Sequence, residues 1–152
     1  MDFRSAESID EALDWLAELG NEAQVLAGGT DVMIQHRLKE IAPSVFVSIG
    51  RLDALREITV NGGISIGPLV SHRTLATDPR IVASLPALAE AAGTVGSWQT
   101  QEVGTVGGNL CNASPAADTI PPLFVAGAVV ELSSRDGRWS HCRPPLPMTE
   151  PS

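Results

Sequence analysis

Residues 104–118 constrain the fold more than any other part of the sequence, because they contain almost no bulky or charged side chain before Asp118. The segment runs Gly-Thr-Val-Gly-Gly-Asn-Leu-Cys-Asn-Ala-Ser-Pro-Ala-Ala-Asp. It predicts neither a packed strand nor an amphipathic helix, since both require regularly spaced apolar side chains. Its glycines allow a ligand to approach the main chain and permit positive φ values that turn successive N–H groups toward an anion. We therefore expect a backbone site suited to a diphosphate.

Short polar side chains in the same segment extend this predicted site. Thr105, Asn109, Asn112 and Ser114 can form hydrogen bonds to a ligand, and Asp118 can accept two from vicinal hydroxyls such as those of a ribose. A diphosphate together with a ribose indicates a dinucleotide. The alternative is a simple connection between elements, because Gly, Asn, Ser and Pro dominate turns for conformational reasons. Asp118 also has an alternative role as the N-cap of the helix expected after it.

A second glycine-containing segment, residues 24–31, favours the ligand-binding interpretation. Its sequence is Gln-Val-Leu-Ala-Gly-Gly-Thr-Asp, a short apolar run that ends in a Gly-Gly turn before a helical pattern. Such an arrangement places free amide groups at the start of a helix, where anions bind. The sequence therefore predicts two anion-binding segments, although neither has the Gly-x-Gly-x-x-Gly spacing of a Rossmann domain.

The charge balance excludes several classes of partner. The net charge is −8 and Lys39 is the single lysine, which argues against nucleic acid or an anionic membrane surface as a partner. No apolar run approaches the ~20 residues that span a bilayer, and the first residues lack the pattern of a signal peptide. We expect a cytoplasmic chain. Two cysteines without a Cys-x-x-Cys spacing predict no disulfide framework, no metal site and no iron–sulfur cluster on this chain.

Residues 1–55 are predicted to form a small N-terminal lobe. A capping box and a terminal glycine bound an amphipathic first helix. Strands predicted at 25–27 and 45–49 flank a second helix, and this order predicts a parallel, right-handed βαβ unit. Ligands of such units lie beyond the carboxyl ends of the strands, where the Gly28-Gly29 pair falls.

Residues 56–138 are predicted to form a second, larger lobe. Alternating apolar residues around an Asn-Gly-Gly turn predict an antiparallel hairpin, and short helices are expected between residues 71 and 92. His72 has no metal partner or nucleophile beside it in the sequence, which favours a surface residue over a ligand contact. Residues 139–152 are proline-rich and aperiodic, so we expect a disordered tail there.

The two glycine segments together resemble the flavin-binding subunit or domain of molybdenum hydroxylases, the family of xanthine dehydrogenase and carbon monoxide dehydrogenase. The resemblance rests on Leu26–Asp31, Gly104–Asn109 and Ala113–Asp118, in this order and at this separation. It extends from about residue 1 to residue 137. It implies an α+β fold of two lobes with FAD between them: a small N-terminal βαβ lobe and a larger lobe with an antiparallel sheet and helices.

The resemblance also implies which residues bind FAD. One side of the diphosphate would be met by Leu26, Ala27, Gly28, Gly29, Thr30, Asp31 and Val32. The other side would be met by the segment that includes Thr105, Gly107, Gly108 and Asn109, while Asn112 and Ser114 would line the pocket and Asp118 would hold a sugar hydroxyl. No catalytic acid, base or nucleophile is assigned, because the flavin supplies the chemistry.

The function implied by the resemblance is electron transfer within a complex. Electrons would leave a molybdenum cofactor subunit, cross two [2Fe-2S] clusters on an iron–sulfur subunit, reach FAD on this chain and pass to NAD or another acceptor. Molybdopterin and the clusters are expected on the partner subunits only.

Two features depart from the family. Thr100-Gln101-Glu102 stands where an Ile-Arg-Asn segment is common, which removes a positive charge near the expected site. Family members also continue past residue 152, with strands that reach the isoalloxazine ring and a further C-terminal domain. The alternative hypothesis is therefore a truncated, non-catalytic module that binds a nucleotide, or no ligand, without redox activity.

Overall fold

The structure, a computed structural model, describes residues 2–137 and 140–142. Its N-terminal part contains a parallel sheet of three strands, β1 (Asp2–Ser5), β2 (Ala23–Leu26) and β3 (Val45–Ser48). The strand order is β1-β3-β2, so the apolar β3 lies at the centre and is buried along most of its length. The predicted βαβ unit is confirmed. Strand β1 was not predicted, because Phe3 is its single large apolar residue.

Two helices complete this part, α1 (Ile9–Leu19) and α2 (Val32–Arg37). Helix α1 begins at Ser8, whose hydroxyl accepts the Glu11 N–H at 3.1 Å, and it ends at Gly20 with φ +51°. Its apolar face packs on the sheet beside Val45 and Val47. In helix α2, the apolar side chains of Ile34 and Leu38 remain 48% and 59% exposed.

The second part begins with the predicted antiparallel hairpin of β4 (Ile58–Val60) and β5 (Ile64–Ile66). Six helices follow: α3 (His72–Thr77), α4 (Pro79–Ser84), α5 (Pro86–Thr94), α6 (Trp98–Val103), α7 (Val106–Asn112) and α8 (Ile120–Val125). The predictions for α3, α4, α5 and α8 are confirmed, whereas α6 was not predicted. Leu75, Ile81 and Leu88 are fully buried in the core that joins α3, α4 and α5.

Helix α7 corrects the expectation that residues 104–118 contain no helix. Thr105 is its N-cap, and the Thr105 hydroxyl accepts the Gly108 N–H at 3.1 Å. Val106 is buried in the core and Leu110, one turn later, packs against it. This single pair gives the helix an apolar face despite its glycines. The helix ends at Ala113, which has a left-handed φ of +47°.

The last described strands are β6 (Val130–Leu132) and β7 (Ser140–Cys142), which pair in an antiparallel hairpin. Residues 140–142 therefore contradict the expected disordered tail, because their main chain pairs with β6. Residue 139 and residues 143–152 lie outside the described residues. In the described part of the chain, no helix is long and apolar enough to span a bilayer.

The lobe boundary near residue 55 stays a prediction. The N-terminal part and the second part of the chain contact each other through Arg135 and helix α1. Arg135, in the turn after β6, lies 2.7 Å from a carboxylate oxygen of Asp14 and 3.8 Å from one of Asp10 on α1. These ion pairs are exposed, so each contributes at most about 1 kcal/mol.

Asp78 connects α3 and α4 through a charged contact. Its carboxylate accepts hydrogen bonds from the Arg80 main-chain N–H at 2.9 Å and from the Arg80 guanidinium at 2.6 and 3.0 Å. The same guanidinium donates to the Ile58 carbonyl at 2.6 Å, which ties these helices to the hairpin. The hydrogen bonds from Arg80 lower the pKa of Asp78 to about 2, from 3.8.

We predict that this carboxylate contributes to acid stability. Because its pKa is lower in the folded state, its contribution is complete above pH 3.8 and is lost as the pH falls through about 2. Asp78→Asn retains an N-cap oxygen but removes this contribution. Melting temperature measured against pH should fall less steeply below pH 3.8 in this variant. Asp53→Asn is the control, because Asp53 is 96% exposed and 3.9 Å from Arg56; identical acid profiles for all three proteins would contradict the prediction.

Candidate cofactor-binding site

A cleft of about 500 Å³ lies between the two glycine segments. One wall comes from the β2–α2 loop, and the opposite wall comes from α7 and the segments that flank it. The predicted site residues that line the cleft are Ala27, Gly28, Gly29, Thr30, Asp31, Val32, Thr105, Gly107, Gly108, Asn109, Asn112 and Ser114. The fold thus brings together two segments that are about 75 residues apart in the sequence.

Leu26 and Asp118 are the predicted site residues that do not line this cleft. Leu26 is half-buried at the end of β2, where its carbonyl accepts the Ile49 N–H at 3.0 Å. Asp118 is exposed, and the N-cap position of α8 falls on Thr119. The proposed contact between Asp118 and a sugar hydroxyl therefore stays a prediction.

The two walls touch at position 28, and this contact requires a glycine there. A Cβ atom at this position would lie 1.9 Å from the Val103 carbonyl oxygen and 3.2 Å from the Gly104 Cα. No relaxation of a flexible side chain relieves such an overlap, because the opposing atoms are main chain. The glycine therefore allows the β2–α2 loop to rest directly on the end of α6. This role differs from the ligand approach inferred from the sequence.

Gly107 has a similar packing role. A Cβ atom there would lie 2.6 Å from the Pro68 Cβ and 2.8 Å from the Pro68 carbonyl oxygen. The Gly107 N–H donates to that carbonyl at 2.9 Å. The first turn of α7 thus rests against the chain that enters α3, and this amide has a protein acceptor.

The amides at the start of α7 have acceptors within the described part of the chain, whereas those of residues 28–30 do not. On α7, the amides of Gly108 and Asn109 donate to the side chain and carbonyl of Thr105 at 3.1 and 3.0 Å. On the opposite wall, the amides of Gly28, Gly29 and Thr30 have no acceptor among the described residues. Gly29 adopts φ +74°, a value that L side chains rarely adopt. Residues 28–30 therefore offer open main-chain donors for an anion.

The α7 wall offers a side-chain donor at Asn109. The buried Thr119 hydroxyl donates to Asn109 Oδ1 at 2.5 Å, which fixes the orientation of the amide. With Oδ1 occupied, the Nδ2 group is the part of this side chain that can donate to a ligand. A second polar contact spans the cleft, because Gln35 Nε2 donates to Asn112 Oδ1 at 3.1 Å.

The electrostatics of the cleft fit backbone recognition of an anion. Its described lining contains no lysine or arginine, and Asp31 is its one carboxylate. Phosphate oxygens would therefore be held by uncharged N–H groups, as in anion-binding nests. In the described part of the chain, no group of three or more His, Cys, Asp and Glu residues could hold a metal ion.

Sequence reasoning missed His72 and Gln35 as cleft residues. His72 was expected at the surface, but it is 3% exposed and lines the cleft. Its position directly after the buried residues Leu69, Val70 and Ser71, at the first residue of a helix, was the available signal. Gln35 carried no such signal, because nothing in its local sequence indicates the contact with Asn112.

The fold and the cleft together define an α+β protein with a cleft between two glycine segments. A family described as "FAD binding domain in molybdopterin dehydrogenase" matches residues 1–142, and the chain belongs to this family. The resemblance drawn from the glycine segments is thereby confirmed.

Individual relatives agree with this assignment. The chain is 32% identical over 136 residues to the glyceraldehyde dehydrogenase medium chain of Sulfolobus acidocaldarius, covering 89% of this chain and 48% of the relative. It is 34% identical over 137 residues to the xanthine dehydrogenase FAD-binding subunit of Escherichia coli O157:H7, covering 89% and 47%. The chain thus spans about half the length of the curated relatives it matches.

A solved structure shows the same fold. The carbon monoxide dehydrogenase of Hydrogenophaga pseudoflava that lacks the Mo-pyranopterin moiety of its cofactor superposes with a TM-score of 0.90 at 28% identity. The match covers 100% of this chain and 55% of that chain. The predicted α+β class with an N-terminal βαβ unit is confirmed by this similarity and by the observed strands.

We predict that the main-chain contact at Gly28 contributes to global stability. Gly28→Ala should lower the free energy of unfolding by about 1–3 kcal/mol, the usual cost of overpacking, because the two walls must separate to admit the methyl group. Urea denaturation measures this change. Gly63→Ala is the matched control, since no atom lies within 4 Å of a Cβ there, and it should stay within about 0.5 kcal/mol of the parent. Equal stability of both variants would show that the contact is dispensable.

Proposed function

We propose that this chain binds FAD in the cleft and serves as the flavin-binding electron-transfer component of a molybdenum hydroxylase. The observation that carries the proposal is the set of open amides on residues 28–30, which line a cleft in a chain of this family. Open amides that converge on one cleft are a site for phosphate oxygens. FAD contains a diphosphate between its flavin and adenosine halves.

The properties of the cleft support a dinucleotide over a smaller anion. Its volume of about 500 Å³ lies within the usual range for cofactor and ligand sites. Donors stand on both walls, with the amides of residues 28–30 on one and Asn109 Nδ2 on the other. A diphosphate has oxygens on both sides and can contact both walls at once. We therefore assign the diphosphate to the space between them.

The chain's own residues would bind and orient the flavin, while the bound flavin would supply the redox chemistry. We propose that electrons arrive from [2Fe-2S] clusters on an iron–sulfur subunit, after oxidation of a substrate at a molybdenum cofactor subunit, and leave to NAD or another acceptor. This assignment rests on the family. The medium chains and FAD-binding subunits that the chain resembles are named as parts of larger dehydrogenases.

The second candidate function is a nucleotide-binding module without redox activity. It is favoured by one observation, that the open amides of residues 28–30 and the Asn109 amide can bind a diphosphate without selecting a flavin. Such a module would bind the diphosphate of a nucleotide and carry out no redox step. Visible absorption of the purified protein separates the two candidates, because bound oxidised flavin has characteristic bands.

We predict that the protein binds FAD at least tenfold more tightly than FMN. FMN carries one phosphate and would lack the contacts of a second, and a single lost hydrogen bond to a charged group corresponds to roughly tenfold in affinity. Titration of the apoprotein, followed by quenching of flavin fluorescence, measures both dissociation constants. Equal or tighter binding of FMN would remove the case for a diphosphate site.

A nearly isosteric variant tests the α7 wall. Asn109→Asp keeps an oxygen for the Thr119 hydroxyl but replaces the Nδ2 donor with a carboxylate oxygen. We expect FAD affinity to fall by roughly tenfold or more, with a small change in the melting temperature of the apoprotein. Asn61→Asp carries the same change of charge in the exposed hairpin turn and should bind FAD as the parent does. Unchanged affinity in both variants would place the diphosphate elsewhere.

We also predict that the chain assembles with an iron–sulfur subunit and a molybdenum cofactor subunit. Affinity purification of the chain, tagged at its own locus and at native expression, should recover both proteins in fixed proportion. Recovery of the chain alone, under conditions that preserve a related dehydrogenase complex, would contradict the proposed assembly and favour the separate module.

A further inference from the structure

His72 is the one described residue with a buried side-chain nitrogen that lacks a hydrogen-bond partner. Its Nδ1 atom is inaccessible to water and contacts no donor or acceptor within reach in the described residues. Leaving a buried polar group unpaired is unfavourable, so such a group calls for an explanation. The side chain is more than nine-tenths buried and also lines the cleft.

The position of the ring is fixed by the main chain around it. His72 is the first residue of α3, and its N–H donates to the Gly104 carbonyl at 3.1 Å. The ring lies against Gly104, where a Cβ atom would be 3.0 Å from Cδ2 and 3.5 Å from Nε2. Gly104 is also the residue on which Gly28 rests. The imidazole is therefore next to the segment whose amides are open.

The unpaired Nδ1 atom favours one tautomer of the ring. A neutral imidazole has one N–H and one lone pair. If the proton were on Nδ1, the structure would bury an N–H without an acceptor, which is the rarer defect in folded proteins. The proton therefore belongs on Nε2. Because Nδ1 is sealed within the protein, the Nε2 edge is the side of the ring that a ligand in the cleft can reach.

The His72 imidazole is expected to be uncharged, as a neutral hydrogen-bond donor requires. Burial lowers the pKa of His72, and the Asp31 carboxylate raises it by a smaller amount. The pKa stays below 6.5, so the ring is uncharged near pH 7. A neutral N–H group matches a cleft whose described lining has no lysine or arginine.

We propose that His72 is a ligand-binding residue of the cleft, donating its Nε2–H to a diphosphate oxygen of the bound dinucleotide beside the amides of residues 28–30. This inference rests on the proposed function, because it takes the ligand to be FAD. It assigns the imidazole a contact that neither the sequence pattern nor the family resemblance supplied. The alternative is a purely structural ring that fills the space beside Gly104.

Nitrogen NMR tests the contact directly, because the chain has three histidines and their ring signals are readily assigned by substitution. In the apoprotein, we expect His72 to show the Nε2–H tautomer. Addition of FAD or of ADP should shift the Nε2–H signal of His72, since both ligands contain a diphosphate. Riboflavin, which has no phosphate, should leave the signal unchanged. A signal that FAD does not move, or that riboflavin moves equally, would overturn the proposal.

Two variants distinguish a role of the His72 side chain in ligand binding from a role in packing. His72→Gln places a side-chain amide near the position of Nε2, whereas His72→Phe fills the space without a donor. We expect FAD affinity to fall roughly tenfold or more in His72→Phe and to recover in large part in His72→Gln. His36→Gln is the control, because His36 packs edge-on against Phe46 with ring centroids 5.3 Å apart and does not line the cleft.

The outcomes distinguish this inference from the proposed function. Tight FAD binding in the parent with unchanged affinity in a folded His72→Phe variant would overturn the role of His72 alone. If His72→Phe does not fold, the NMR result with FAD, ADP and riboflavin decides the question. Absence of binding by both FAD and ADP to the parent protein would overturn both proposals together.

Discussion

The contact between the Gly28 main chain and the Val103–Gly104 main chain holds the site together. The contact is possible only because residue 28 has no Cβ atom. It sets the distance between the β2–α2 loop and α7 more rigidly than side-chain packing could. The features on either side follow from it. The open amides of residues 28–30 lie next to the end of α6, and the His72 ring is confined beside Gly104. A loop that carried a side chain at position 28 would stand away from α6 and leave a wider gap.

In an acidic protein that binds a highly anionic ligand, the electrostatic potential in the binding site must differ from the potential that the net charge creates around the molecule. The net charge of −8 repels a dinucleotide at a distance, although salt screens this repulsion beyond roughly 10 Å. Inside the cleft, the described donors include main-chain amides, the Asn109 amide and the His72 imidazole, and the described lining has no lysine or arginine. The hydrogen bonds from such donors become stronger as water is excluded, because the local dielectric constant falls. Selectivity then depends on the geometry of the donors, since a charge-based site would also accept simple phosphates.

Features that arise from interactions between residues close together in the sequence were predicted, whereas features that arise from contacts between distant residues were not. The β4–β5 hairpin and helices α3, α4 and α5 were predicted because their turns, caps and prolines act within a few residues. Helix α7 was missed because its apolar face consists of Val106 and Leu110 alone, among glycines that disfavour a helix. The burial of His72 and the packing role of Gly107 depend on Gly104 and Pro68, which local sequence patterns do not connect with them. The sequence indicated the two segments that line the cleft, while the reasons for individual glycines needed the tertiary structure.

The hydrogen bond between Gln35 and Asn112 has a consequence for how the cleft exchanges its contents. It joins α2 to the end of α7 on the exposed side, between two neutral side chains. A bond of this kind contributes about 0.5–1.5 kcal/mol, so thermal motion breaks it often while the main-chain contact at Gly28 persists. This contact across the cleft can therefore open by side-chain rotation, on the nanosecond scale of exposed rotamers, while the main chain on both sides stays in place.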